Sequence, residues 1–320
     1  MNSFEVHQLI HERNSRFAQI LREIRIADSF YIKATANEPW GFDNPELKGC
    51  LFHFILEGSA EMEDEDGSFI SLSQGDLVLI PKGNRHILRS GSDAFIETFE
   101  TVNIEPLGEN SSLMKFGGTG KRTSMICGGL TLNPSWHPLL KGLPPLVIQR
   151  HSLENAALNM DILMQLMGSE VKTDMPGSEI IINRLNEVLV ITVLRNWMLN
   201  GIEQSSSWIY ALRDQFIGLS LIKIHTSPEI DWSVASLARE AKMSRSVYAK
   251  QFHKLVGMPP MQYVMHLRMN LAADRLRQSN DSVEYIATGV GYDSAVSFSR
   301  AFKRYWGEAP GKFKLNTELS

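Results

Sequence analysis

The apolar positions of this chain fall into two textures. In the N-terminal half they come in short runs broken by Gly, Asp and Asn, as in "GCLFHFILEGSAEMEDEDGSFISLSQGDLVLIPKGNRHIL". Short apolar runs between turn residues predict β-strands at close intervals, hence a barrel or sandwich. Further along, the period becomes helical. Residues 178–200 are apolar on more than one side, from Ile180–Ile182 through Leu185 to Val188–Leu194. That predicts a helix buried on two faces. One face would pack on the N-terminal domain. The other would meet a second subunit, or both would lie inside one core. A further helix is expected from Ala211 to His225, after a linker around "NGIEQSSSW".

The last hundred residues hold a repeat. "SVASLAREAKMSRSVYAKQFHKLVGMPP" aligns with "SVEYIATGVGYDSAVSFSRAFKRYWGEAP". Ser233-Val234 matches Ser282-Val283, Leu237-Ala238 matches Ile286-Ala287, Phe252 matches Phe302, and Gly257 matches Gly307. Repetition at this spacing marks a duplicated supersecondary unit. Each unit reads as a short helix, a tight turn and a second helix, the helix-turn-helix layout. Ser244 and Ser294 are expected to cap the second helices, and Gly307 to stop the last one. Tyr248, Phe252 and Leu255, then Phe298, Phe302 and Tyr305, fall at helical spacing and predict the buried stripes. "PPMQYVMHLRMNLAADRLRQS" joins the units, with one long helix expected over Met261–Gln278.

These residues resemble the DNA-binding domain of the AraC/XylS family of bacterial transcription regulators. "IATGVGYDSAVSFSRAFKRYWGEAPGKFK" is similar to that family's C-terminal signature, with Lys314 where the family often has Arg. The resemblance implies double-stranded DNA as partner, at an operator or promoter, with the two second helices in adjacent major grooves. Such grooves lie roughly 34 Å apart on one face. The outward residues of the first unit are Arg245, Ser246, Ala249, Lys250 and His253. Those of the second are Ala295, Val296, Ser297 and Arg300. By the resemblance, Ser246, Ala249 and Lys250 and their counterparts face bases. Lys250 and Arg300 suit guanine edges, and Ala249, Ala295 and Val296 suit thymine methyls. Lys303, Arg304 and Lys254 suit phosphates. A phosphate contact or a solvated face stays open for Arg300.

Charge sharpens this division. The chain has 320 residues and a net charge of −4. Residues 219–320 carry 14 Lys and Arg against 9 Asp and Glu, a balance of +5, and the rest carries 18 against 27, a balance of −9. A basic domain joined to an acidic one is what phosphate binding on one side predicts. At 43% hydrophobic content, and without an apolar run of about 18 residues, no membrane span is expected. Two cysteines, Cys50 and Cys127, make no disulfide framework or metal spacing, so a cytoplasmic location is the simplest expectation.

In the N-terminal half, "GDLVLIPKGNRH" resembles the second motif of cupin barrels, with Gly75, Pro81, Gly83 and His86. Gly58 fits the end of the first motif. Counting back from it, Leu51 stands at the usual glutamate position, and no histidine falls near Asn44 to Glu46. Three of the usual four metal ligands are absent. "EPWGF", "FHFILEGSAEM", "ICGGLTLNPSWHPLLKGLPPLVIQ" and "NRLNEVLVITVLRNWM" follow in the order of a cupin-type sensor subfamily of these regulators, and Cys127-Gly128-Gly129 reads as a tight strand start. His53 shares alternation parity with Leu51 and points to the interior. His53, His86 and Trp40 are therefore the candidate effector contacts, with core histidines as the alternative. An interior filled by Phe52, Phe54 and Trp40 would instead favour control by a protein partner.

The sequence thus predicts a two-domain α+β protein. Residues 1–204 form a cupin-like β-barrel for effector binding and dimerisation, with connector helices over about 150–204. Residues 205–320 form an all-α domain of two helix-turn-helix units, about 233–257 and 282–307, joined by a long helix. The expected partners are DNA, a small-molecule effector, a second copy in a homodimer and, for an activator, RNA polymerase. No catalytic residue, metal or cofactor is assigned. A cupin metalloenzyme fused to a DNA-binding module is the alternative.

Overall fold

The computed structural model describes residues 15–63, 67–106, 111–151, 160–173, 175–200 and 207–318. Its strands are β1 (Arg25–Asn37), β2 (Gly41–Asn44), β3 (Cys50–Glu57), β4 (Ser59–Glu63), β5 (Phe69–Ser73), β6 (Leu77–Ile80), β7 (His86–Arg89), β8 (Ile96–Glu97), β9 (Asn103–Pro106), β10 (Ser111–Gly117), β11 (Arg122–Asn133) and β12 (Val147–Gln149). Helix α1 is described over residues 15–21. The others are α2 (Pro138–Lys141), α3 (Met160–Thr173), α4 (Ser178–Asn200), α5 (Ser207–Arg213), α6 (Ile217–Thr226), α7 (Val234–Glu240), α8 (Arg245–Val256), α9 (Pro260–Gln278), α10 (Val283–Gly289), α11 (Ala295–Trp306) and α12 (Pro310–Glu318). None of the described helices is long and apolar enough to cross a membrane. Residues 201–206, which hold most of the expected linker, lie outside the described residues.

The chain separates into two compact units. One comprises residues 24–135 and 143–204, and the other residues up to Glu23, 136–142 and 205–320. In the first, strands form a seven-stranded sheet, β12-β6-β3-β11-β1-β10-β9, and a five-stranded sheet, β5-β4-β7-β2-β8. Strand alternation explains the core, because every second side chain turns to the same face. Leu51 and Ile55 of β3, Val78 and Ile80 of β6, Met62 of β4, Leu88 of β7 and Trp40 join one buried cluster drawn from both sheets. The expected barrel is thus two sheets around one apolar core, and among the described residues the hydrogen-bonded strands do not close into a barrel.

Two expectations in this unit change. Phe52 and Phe54 are buried but are absent from that cluster. Their parity on β3 is opposite to Leu51 and Ile55, so they face the other side and do not fill the interior. Gly128 and Gly129 lie in the middle of β11 rather than at its start. A Cβ on Gly128 would meet the Phe52 ring, and one on Gly129 the Phe30 ring. The pair makes room for two aromatic side chains.

Helix α4 buries Ile182, Leu189, Val190, Val193 and Leu194, while Ile180, Ile181, Val188 and Ile191 are exposed. Its buried side is fixed to β1 by a polar cluster. Ser29 Oγ donates to Asn183 Oδ1 (2.5 Å) and accepts from Asn186 Nδ2 (3.2 Å).

In the second unit the duplication is visible as α7–α8 and α10–α11. Small Ala238 and Ala287 are both buried, which lets each helix pair approach closely. Ser233 and Ser282 cap the first helices, accepting from Ser236 N and Tyr285 N. Ser294 caps α11, accepting from Ser297 N. Ser244 occupies the same position before α8 without a side-chain cap bond. Ser297 returns a hydroxyl to Ser294 O (2.9 Å), and Val247 has none to return. Both second helices end on a left-handed glycine, Gly257 at φ 84° and Gly307 at φ 85°, a conformation that excludes most other residues. The long helix runs over Pro260–Gln278, close to expectation.

The helix expected over Ala211 to His225 is two helices. Asp214 accepts from the backbone N–H of Phe216 (2.9 Å) and Ile217 (2.8 Å). This caps a new helix start and ends the continuous pattern.

Candidate nucleic-acid interface and cupin core

Packing sets which side chains each second helix leaves outside. On α8, Tyr248, Phe252 and Val256 are buried. Val256 replaces the expected Leu255, which is half-buried, because i, i+4 and i+8 stay on one side. Arg245, Ser246, Lys250, His253 and Lys254 are exposed and Ala249 is half-buried. On α11, Phe298, Ala301 and Phe302 are buried. Val296, Ser297, Arg300, Lys303 and Arg304 are exposed, and Ala295 is half-buried. The expected readers therefore share one open face on each helix. The Ser297 hydroxyl is engaged in its cap, so it offers less to a base than its exposure suggests.

Arg268 on α9 ties the joining helix to segments beside each repeat. Its Nε donates to Pro228 O (2.8 Å), Nη1 to Gly291 O (3.0 Å) and Nη2 to Ile230 O (2.7 Å). Pro228 and Ile230 precede the first repeat, and Gly291 lies in the turn of the second. One guanidinium thus fastens the joining helix to the segment that leads into the first repeat and to the turn of the second.

In the cupin unit, His53 sits on β3 and His86 opens β7. Both are 3% exposed and Trp40 is fully buried. His53 Nε2 and His86 Nε2 are 2.7 Å apart, and His86 Nδ1 lies 2.8 Å from Asn84 O. A carbonyl only accepts, so His86 Nδ1 carries the proton and its Nε2 is an acceptor. His53 then donates from Nε2 and leaves Nδ1 with a lone pair. That Nδ1 is buried without a partner, and so is Trp40 Nε1. Burial holds His53 well below its ordinary range, with the neighbouring His86 adding to it, and burial lowers His86 too. Both rings are neutral near pH 7. Leu51, at the usual glutamate position, is buried in the same cluster.

A second titratable cluster lies in the helical unit. Glu23 Oε2 is 3.3 Å from His137 Nε2 and 2.9 Å from His225 Nδ1. Among the described residues these three are the one group of His, Cys, Asp and Glu close enough to hold a metal. The surrounding bonds assign protons instead. The Leu139 N–H donates to His137 Nδ1 (3.1 Å), so the neutral ring presents Nε2–H to Glu23. His225 Nε2 is 2.7 Å from the Tyr263 hydroxyl, which accepts from Trp208 Nε1 (2.8 Å). Burial alone would raise Glu23, but attraction to His225 and hydrogen bonds from both rings hold its carboxyl down at about 2. Residues 23, 137 and 225 share no spacing or motif, so no sequence pattern announced this group.

Two family profiles match the chain. One, described as Cupin, covers residues 16–199, and the other, described as Helix-turn-helix domain, covers residues 237–316. The HTH-type transcriptional regulator AlkR of Acinetobacter baylyi is 29% identical over 303 residues, spanning 93% of this chain and 98% of that protein. The HTH-type transcriptional regulator MtrA of Neisseria gonorrhoeae is 27% identical over 266 residues, spanning 82% and 85%. Among solved structures, the DNA-binding domain of AdpA in complex with a target DNA is 26% identical, covering 33% of this chain and 95% of that one at a TM-score of 0.32. The chain belongs to the cupin family, with a helix-turn-helix domain behind the cupin region. It is a DNA-binding transcriptional regulator of the AraC/XylS type.

Proposed function

We propose that one chain reads two adjacent major grooves through α8 and α11, and that a small effector bound in the cupin core controls this. The observation that carries the DNA part is the pair of open, cationic helix faces joined by a clamped α9. Arg300 and Lys250 read base edges, with Ser246, Ala249, Ala295 and Val296 beside them. Arg245, His253, Lys254, Lys303 and Arg304 hold phosphates. Roughly half or more of protein–DNA hydrogen bonds go to the backbone, so this division is the expected one.

The effector part is supported by the unpaired Trp40 Nε1 and His53 Nδ1. One is a donor and the other an acceptor, inside an otherwise apolar core. Leaving each buried and unbonded costs about 1–3 kcal/mol. An occupant bearing both a hydrogen-bond donor and an acceptor would remove that cost. The exposed apolar face of α4 supports a homodimer, and an activator of this kind would also contact RNA polymerase.

The test is DNA binding by the full chain to the region upstream of its own gene, over a salt series with random competitor. Competitor-resistant binding with a steep salt slope supports the reading. Binding that random DNA removes at every salt concentration would sink it.

A further inference from the structure

The DNA-binding unit contains a cavity of about 300 Å³ that the reading of DNA does not use. Trp136 and Trp208 supply aromatic wall, and Lys141, His266, Asn270 and Tyr305 supply polar groups. The two indole N–H groups are already engaged. Trp136 Nε1 donates to Asp274 (2.6 Å) and Trp208 Nε1 to Tyr263 (2.8 Å). What these residues offer the cavity is therefore apolar ring surface.

Among the polar groups, the Lys141 ammonium and the Tyr305 hydroxyl have donors to spare. Asn270 Nδ2 donates to His266 O (2.9 Å) and to the Tyr305 hydroxyl (3.2 Å). Tyr305 accepts there, and among the described residues no acceptor is paired with its own O–H. No carboxylate among the described residues forms an ion pair with Lys141, and none lines the cavity. His266 is lowered by burial and then by the charge of Lys141, so it faces the cavity as a neutral ring near a free ammonium. Flat apolar walls beside an ammonium and a hydroxyl donor, with no acid among the lining residues and the nearby Asp274 engaged by Trp136, fit a ligand with an aromatic ring and a carboxylate. The volume is at the lower end for ligand pockets, which suits one or two rings.

We propose that this cavity is a second small-molecule site, separate from the cupin core, that takes an aromatic monocarboxylate. The carboxylate pairs with Lys141 and accepts from Tyr305, and the rings lie against Trp136 and Trp208. The position gives the ligand a lever on DNA binding. Val256 ends the first reading helix and Met258 follows it, His266 and Asn270 belong to α9, and Tyr305 belongs to α11. An occupant would touch both repeats and the helix that joins them.

The test is calorimetric titration of the full-length chain with 2-naphthoate and with 2-naphthalenemethanol, its uncharged counterpart. The proposal expects saturable binding of the naphthoate and about ten-fold or greater weakening for the alcohol. Lys141→Glu, at an exposed position that should not disturb folding, should weaken naphthoate by about ten-fold or more. Tyr305→Phe, which removes one hydroxyl, should weaken it in the same direction. His53→Leu should leave it within about two-fold, since that residue lies far from the cavity in sequence and in a different unit. No saturable binding at millimolar concentration would overturn the proposal. Equal binding of the alcohol, an unchanged Lys141→Glu, or a loss confined to His53→Leu would overturn it as well.

Discussion

The Nε2 atoms of His53 and His86 stand 2.7 Å apart in the cupin core, so only one of them can carry a proton. Asn84 fixes which, by taking the Nδ1–H of His86. Burial disfavours a charge on either ring.

This gives a pH dependence with a definite sign. Both histidines are lowered from 6.5 by burial. A group that folds with a lowered value contributes stability above its unfolded value and loses it as pH falls below. The cupin unit should therefore unfold at lower urea concentration as pH falls from about 7 toward 5. The double variant His53→Leu/His86→Leu should show a flatter profile. Equal slopes for the variant and the parent would refute this account of the pair.

The Glu23 cluster predicts a second acid effect in the other unit. Its carboxyl is held at about 2 against an ordinary 4.5, which corresponds to about 3 kcal/mol at neutral pH. The value is depressed, so the contribution is complete above 4.5 and disappears as pH falls toward 2. Buried His137 is lowered from 6.5 and adds a loss that begins below that pH. Glu23→Gln should destabilise the DNA-binding unit at pH 7 by about 2–3 kcal/mol and remove the lower part of the acid transition. Urea unfolding followed by tryptophan emission at pH 7 and pH 3 checks both.

Arg268→Lys keeps the charge and loses the fork. Three carbonyls then compete for one ammonium, and a loss of about 2 kcal/mol is expected. Binding to a two-groove site should suffer more than binding to a single half-site, because the clamp holds the repeats relative to α9. Equal losses on both DNAs would show that the clamp serves folding alone.

Arg300→Ala separates base reading from phosphate binding. If Arg300 pairs with a guanine, the loss should be about 1–3 kcal/mol on the preferred site and small when that base is changed. The same loss on every sequence in a competition series would make it a backbone contact.

Much of the DNA-binding unit was legible because local rules carried it. The repeat gave both helix pairs, Gly257 and Gly307 gave the ends, and Ser294 gave a cap. Ser244 stands at the same N-cap position without the side-chain bond, and its residue type does not separate it from Ser282 or Ser294, which both cap. The break at Asp214 was missed because apolar periodicity runs through it, while the carboxylate that starts α6 is a purely local signal. In the cupin unit, parity alone placed His53 beside Leu51. The same parity argument, applied to Phe52 and Phe54, would have put them on the face of β3 opposite Leu51 and Ile55, where they are buried but outside the cluster between the sheets. The Glu23, His137 and His225 group was not legible, since three distant segments meet there without a shared motif. The aromatic cavity was hidden for the same reason.

The central claim is that one chain reads two grooves at a fixed separation. The most direct measurement is affinity for a selected operator against the same operator with about 5 base pairs inserted between its two boxes, half a helical turn. The account predicts that the insertion weakens binding by about ten-fold or more, because the clamped α9 cannot follow one box to the opposite face. Equal affinity for the two operators would contradict it, and would mean that a single helix-turn-helix unit carries the recognition.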